Sequence, residues 1–112
     1  MRRSRRYRNP PVTLEILDEH HELAATPLSC FDLSAVGVYL HTSFLLLPGE
    51  KIHLRIRLSS TLRPIDVLGE VVRAETGGDG LSPGMGIAFR EVAESDSTAL
   101  KQFLLRRFLS NA

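Results

Sequence analysis

Five arginines stand within the first eight residues: Arg2, Arg3, Arg5, Arg6 and Arg8. A guanidinium is a permanently charged, planar fork of donors, suited to phosphate and carboxylate oxygens and to stacking on flat rings. No further Lys or Arg occurs before Lys51. The arm therefore carries +5, whereas residues 9–112 hold nine basic side chains against thirteen acidic ones, a net of −4. The total of +1 conceals a cationic arm on a mildly acidic body. Such an arm is fitted to meet an anion.

A second short pattern, Asp32-x-Ser34-x-x-Gly37, carries acceptor and hydroxyl chemistry. On an extended segment, residues two apart point to the same side of the backbone. Gly37 then permits a turn that other residues resist. Alone, the pattern has two readings. Asp32 and Ser34 can satisfy neighbouring backbone amides within a turn, or they can face a ligand.

The remaining polar residues offer little for catalysis. His20, His21, His41 and His53 lack companions at metal-ligand spacing. No nucleophile elbow or P-loop is present, and the glycines from Gly77 to Gly86 precede a strand pattern rather than a helix. We therefore expect neither an enzyme nor a cofactor or metal site.

A chain of 112 residues, 43% hydrophobic and 24% charged, reads as one soluble domain. No apolar run approaches the ~18 residues of a membrane span, and no hydrophobic signal region follows the arginines, so a cytoplasmic protein is expected. The single Cys30 suits a reducing compartment and reads as a small buried apolar residue.

The elements that position these residues are short. Asn9-Pro10-Pro11 closes the arm, giving an expected division into a flexible arm, 1–11, and one domain, 12–112. Val12 to Ile16 alternates with period two, and a less regular second strand is expected between Glu22 and Phe31. Asp18 to His21 reads as a turn, and Gly37 opens a strand through Thr42. Lys51 to Leu58 has one aliphatic face and one face of Lys51, His53, Arg55 and Arg57, the mark of an antiparallel sheet with one wet side. A strand over 65–74 has Gly69 at an expected bulge, and another strand covers Met85 to Phe89. A helix over about 97–110, capped by Ser95 or Asp96, gathers Leu100, Phe103, Leu104 and Phe108 on one face, widened by Leu105 and Leu109.

Together, an arginine arm, a strand, and Asp32-x-Ser34-x-x-Gly37 opening a Val-Tyr-Leu strand resemble the PilZ domain family, bacterial receptors for cyclic di-GMP. Arg2 and Arg6 match that family's Arg-x-x-x-Arg, and Asp32, Ser34 and Gly37 match its Asp/Asn-x-Ser-x-x-Gly. The stretches Gly69 to Arg73 and Gly86 to Phe89 resemble two later strands of the family. The fold this resemblance implies is all-β with a terminal helix: a six-stranded antiparallel PilZ-type β-barrel plus a C-terminal α-helix.

The implied function is a non-enzymatic receptor or adaptor that binds cyclic di-GMP, orders its arm on the barrel and signals through a protein partner, as in control of motility or biofilm. The implied ligand contacts are Arg2, Arg6, Asp32, Ser34 and Gly37, with Arg3, Arg5 and Arg8 as auxiliaries. Guanidiniums can fork onto phosphates or guanine O6 and N7, and a carboxylate can accept from the guanine N1–H and N2–H₂ edge. Two arm registers fit. Motif spacing selects Arg2 with Arg6, whereas counting back from Val12 selects Arg5 with Asn9, and Arg8 then stands in one residue early. Two other functions stay open. The chain can be a PilZ-like interaction module without nucleotide, using the C-terminal helix or the basic strand face. The arm can also be a salt-sensitive nucleic-acid tether, although the acidic body and the lone arm aromatic, Tyr7, disfavour that.

Overall fold

The structure, a computed structural model, describes residues 7–8, 13–18, 20, 22–24, 31–58 and 63–110, with 7, 8 and 107–110 described by backbone alone. Arg2, Arg3, Arg5, Arg6, the segment 9–12, His21 and Cys30 lie outside the described residues. Among the described residues the elements are β1 (Tyr7–Arg8), β2 (Thr13–Leu17), β3 (Phe31–Leu33), β4 (Gly37–Leu40), β5 (Lys51–Arg57), β6 (Ile65–Glu75), β7 (Gly84–Val92) and α1 (Glu94–Ser110). The strands lie in the order β1-β3-β4-β7-β6-β5-β2, and every neighbouring pair is antiparallel. β2 to β7 are six antiparallel strands that form a curled half-barrel, followed by α1, in line with the fold expected from the resemblance. The two-residue β1 is an addition at one edge, contributed by the arm.

Period-two patterning explains the inner face. Ile52, Leu54 and Ile56 of β5 are buried, as are Ile65, Val67 and Val71 of β6 and Met85 and Ile87 of β7. The smaller strands add Leu14, Ile16, Phe31, Leu33, Val38 and Leu40 to the same core. The β6–β7 register shifts between Leu68 and Gly69 and again between Val71 and Arg73, which increases local twist and curls the sheet. Gly69 therefore sits at the expected irregularity.

Several boundaries differ from those read in the sequence. Between Asp18 and Ala24 the described chain doubles back: the amides of His20 and Glu22 donate to the Asp18 carboxylate at 2.8 and 3.0 Å. Ala24 N donates to Ile16 O at 2.8 Å and Leu23 bridges Leu17; most of the strand expected from Glu22 to Phe31, residues 25–30, lies outside the described residues, and β3 is described from Phe31. The helix begins at Glu94 rather than near 97, and Ser97 N donates to Ala93 O at 2.8 Å. Ser95 and Asp96 thus lie inside the first turn instead of capping it, and Glu94 with Asp96 complements the positive helix end. Leu100, Phe103 and Leu104 are buried against the sheet, while Leu105 is exposed. No helix among the described residues is long and apolar enough to cross a membrane.

The strand face that reads as basic is charge-paired across strands. Lys51 Nζ and Arg90 Nε reach Glu70 Oε1 at 3.1 and 3.2 Å, Arg55 Nε reaches Asp66 Oδ1 at 3.0 Å, and Arg57 Nε reaches Glu15 Oε2 at 3.1 Å. Hydrogen bonds from Lys51 and then Arg90 hold the Glu70 carboxyl below its ordinary pKa, and the Asp66 hydrogen bond raises that of Arg55. A carboxylate depressed in the folded state adds stability above its unfolded pKa, and that stability is lost as pH falls through the folded value. Glu70→Gln should lower Tm at neutral pH by a small amount, as exposed pairs do, and should leave Tm unchanged in acid below the carboxylate range. Thermal melts at both pH values check this.

Candidate functional site

The Asp32-x-Ser34-x-x-Gly37 segment folds as the β3–β4 hairpin, and Ser34 builds its turn. Ser34 N donates to Gly37 O at 3.0 Å, and the Ser34 hydroxyl donates to the same oxygen at 3.3 Å. The hydroxyl also accepts from Val36 N at 3.2 Å. Val36 O in turn accepts from Phe89 N at 2.9 Å, which fastens the turn to β7. Gly37 approaches β7 so closely that a Cβ there would lie 2.5 Å from Ile87 O. This glycine is required by backbone contact.

Asp32 is different. Its Oδ1 is buried and has no hydrogen-bond partner among the described residues. A buried acceptor without a donor is costly, so the turn explains Ser34 and Gly37 but leaves Asp32 unexplained.

The strand registers align further groups with it. Arg8 takes the position opposite Asp32, Asp32 is opposite Tyr39, Tyr39 is opposite Gly86, and Gly86 is opposite Arg73. One row of register positions thus crosses five strands, β1-β3-β4-β7-β6. Arg73 Cζ lies 5.1 Å from the Tyr39 ring centroid, and the His41 ring meets Tyr39 edge-on at 5.2 Å. Asp32, Ser34, Gly37, Tyr39, Arg73 and Gly86 line a groove of about 430 Å³. That is enough for a small-molecule ligand. The exposed Val36 and Val72 form apolar parts of its wall.

The arrangement can therefore offer a desolvated carboxylate oxygen to a polarised N–H group, beside a guanidinium that stacks or forks onto an anion. A second groove, of about 540 Å³, lies near the β7 end, but its Asp66 and Arg90 are already held by Arg55 and Glu70.

The structure brings Asp32, Ser34 and Gly37 together and places the Arg8 backbone beside them; Arg2, Arg3, Arg5 and Arg6 fall outside the described residues. Tyr39, Arg73 and Gly86 were not singled out by sequence as site residues. The turns hold the signal that could have found them. Pairing Ser34 with Gly37 sets Asp32 against Tyr39. Asp79 and Gly80, with φ of 51° and 83°, form a two-residue hairpin turn that sets Arg73 against Gly86.

A model described as the PilZ domain matches residues 1–106. Among solved structures, the chain is similar to the Bacillus subtilis inhibitor of motility (MotI/DgrA), with 25% sequence identity and a TM-score of 0.75. That likeness covers 99% of this chain and 52% of the other, so the chain spans about half the length of the structure it matches. Comparison with curated proteins gave no match.

Gly37→Ala should destabilise the fold by ~1–3 kcal/mol, because the added methyl must displace backbone rather than a flexible side chain. Chemical denaturation checks this; an unchanged midpoint would contradict the close approach.

Proposed function

Because the chain belongs to the PilZ domain family, a family of cyclic di-GMP receptor and adaptor modules, we propose that it binds cyclic di-GMP in the groove headed by Asp32. The observation that carries this reading is the buried, unpartnered Asp32 Oδ1. A guanine offers N1–H and N2–H₂ as adjacent donors, the complement of a carboxylate kept from water. Ser34 holds the hairpin that presents Asp32, and its hydroxyl keeps one lone pair beyond the bonds it makes in the turn. Gly37 lets the hairpin sit tightly on β7.

The arm supplies the cationic part of the site in this reading. Tyr7–Arg8 pairs with β3, which sets the end of the arm beside the strand that carries Asp32. Arg8, opposite Asp32, is the auxiliary arginine closest to it in register, and Arg2 with Arg6 is the motif pair assigned to the phosphodiesters and guanine edges. The arm orders on the barrel as ligand binds, losing conformational entropy in the process. α1 contacts β1, which offers a route by which arm placement reaches a protein-binding surface. The likeness to an inhibitor of motility supports control of motility through a protein partner as the output. The ion pairs of β5 remove the excess positive charge on which an alternative docking face had rested.

Calorimetric titration with cyclic di-GMP should show saturable binding to the wild-type protein. Asp32→Ala should weaken it by about tenfold or more, the effect of losing a charge-assisted hydrogen bond of ~1.5–3 kcal/mol. A wild-type protein giving no saturable heat at ~100 μM ligand would overturn the proposal.

A further inference from the structure

An outer row of register positions, apart from the one that carries Asp32, gathers exposed aliphatic side chains. Lys51 stands opposite Glu70, Glu70 opposite Ala88, and Ala88 opposite Gly37, so the row crosses β5, β6, β7 and β4. It runs from the turn before β5 to the hairpin turn before β4, three strand spacings or about 14 Å. Three large aliphatic residues accompany it: Leu47, 73% exposed, Val36, 61%, and Val72, 51%. The other large exposed hydrophobics among the described residues, Leu23, Leu81 and Leu105, stand singly on separate segments, which is ordinary for a surface.

At each of the three, the fold uses the backbone and leaves the side chain idle. Leu47 to Glu50 is a tight turn, with Gly49 at φ 96° and Glu50 N donating to Leu47 O at 3.1 Å. Leu47 N donates to the Glu50 carboxylate at 2.6 Å. Gly49 N donates to Val71 O at 2.7 Å, which pins the turn to β6 one residue from Val72. Val72 is the extra residue of the second β6–β7 irregularity. Val71 is buried while Val72 and Arg73 are both exposed, so the bulge breaks the alternation and turns Val72 outward. Val36 N and O are held by Ser34 Oγ and Phe89 N. Between Val36 and Val72 the floor is low, made by Ala88 and Gly37.

Charge decides what fits this saddle. Lys51 Nζ and Arg90 Nε share the single carboxylate of Glu70, which leaves one positive charge over. Arg73 has only an exposed pair with Glu75 at 3.6 Å. A second copy of the chain would bring the same cations together. A segment with carboxylates beside its apolar side chains complements both features.

We propose that Leu47, Val72 and Val36 form a docking surface for a protein partner, which presents apolar side chains flanked by Asp or Glu. Aliphatic groups held on pinned turns and a bulge are preorganised, so little freedom is lost on binding. The low floor at Ala88 admits a side chain of the partner. This names the surface of the adaptor reading above and rests on its protein-contact half alone, without need of nucleotide.

The test is selection of random peptides about twelve residues long, enough to span the row, on the nucleotide-free wild-type protein. The double variant Leu47→Ser, Val72→Ser serves for counter-selection; it keeps the arginine arm, so acidic peptides drawn only to the arm are removed. Enriched sequences should combine apolar side chains with Asp or Glu. The best of them, made synthetically, should move the amide resonances of Leu47, Val72 and Ala88. Leu47→Ser and Val72→Ser should each weaken that peptide by about tenfold, as loss of an interface anchor does. Leu47→Ser, outside the nucleotide groove, should melt with the wild type and bind cyclic di-GMP within about twofold of it. Replacing the peptide carboxylates by amides should weaken binding and flatten its salt dependence. No enrichment over the double variant, enriched peptides that are basic, or equal binding to both single variants overturns the surface and leaves the nucleotide reading intact. Self-association in sedimentation that Leu47→Ser abolishes also overturns it, since the occupant is then a second copy. A wild type that takes the peptide but no cyclic di-GMP overturns the receptor reading and leaves this surface standing.

Discussion

The backbone of Gly37 rests against the carbonyl of Ile87 with no room for a side chain. That contact sets the β3–β4 hairpin on β7, and the Phe89 N to Val36 O bond locks it from the next residue. The register then follows: Tyr39 falls opposite Gly86, and Gly86 opposite Arg73. A slip of one residue would turn Val38 and Leu40 out of the core and Tyr39 into it. The buried inner face and the polar outer row are therefore two consequences of one pairing.

The two halves of the outer surface handle charge in opposite ways. On β2, β5 and β6, each of Lys51, Arg55 and Arg57 has an acidic neighbour on an adjoining strand. These exposed pairs neutralise the surface and add little stability individually. On β3, β4 and β6 the pattern breaks. Asp32 has a buried oxygen without a donor, and the Arg73 guanidinium lies over a ring instead of in a tight carboxylate fork. The cross-strand pairing of β2, β5 and β6 is thus not repeated for Asp32 among the described residues.

Much of this was legible in the chain. The alternation of Ile52, Leu54 and Ile56, the helical spacing of Leu100, Phe103 and Leu104, and the glycine at position 69 follow from local periodicity and backbone chemistry. So does the turn at Asp32-x-Ser34-x-x-Gly37. Hairpin registers were also readable, because a short turn fixes which residues face each other. The β4–β7 pairing was not, since Tyr39 and Gly86 are joined across two intervening strands and a long loop. Without that pairing, Tyr39 and Arg73 are merely residues on separate strands. The helix start was misplaced because Glu94 and Ala93 carry no capping side chain of the usual kind, so the signal at Ser95 and Asp96 prevailed. The apparent basic face misled for a related reason: its partners, Glu15, Asp66 and Glu70, lie on other strands.

The central claim is that a guanine-bearing dinucleotide lies along the row Asp32, Tyr39, Gly86 and Arg73. Backbone amide shift mapping with cyclic di-GMP tests it most directly. The account predicts the largest perturbations at Asp32, Gly37, Tyr39, Gly86 and Arg73, together with Tyr7 and Arg8 of β1. Perturbations confined to the groove of His53, Asp66 and Arg90, or none at saturating ligand, would contradict it.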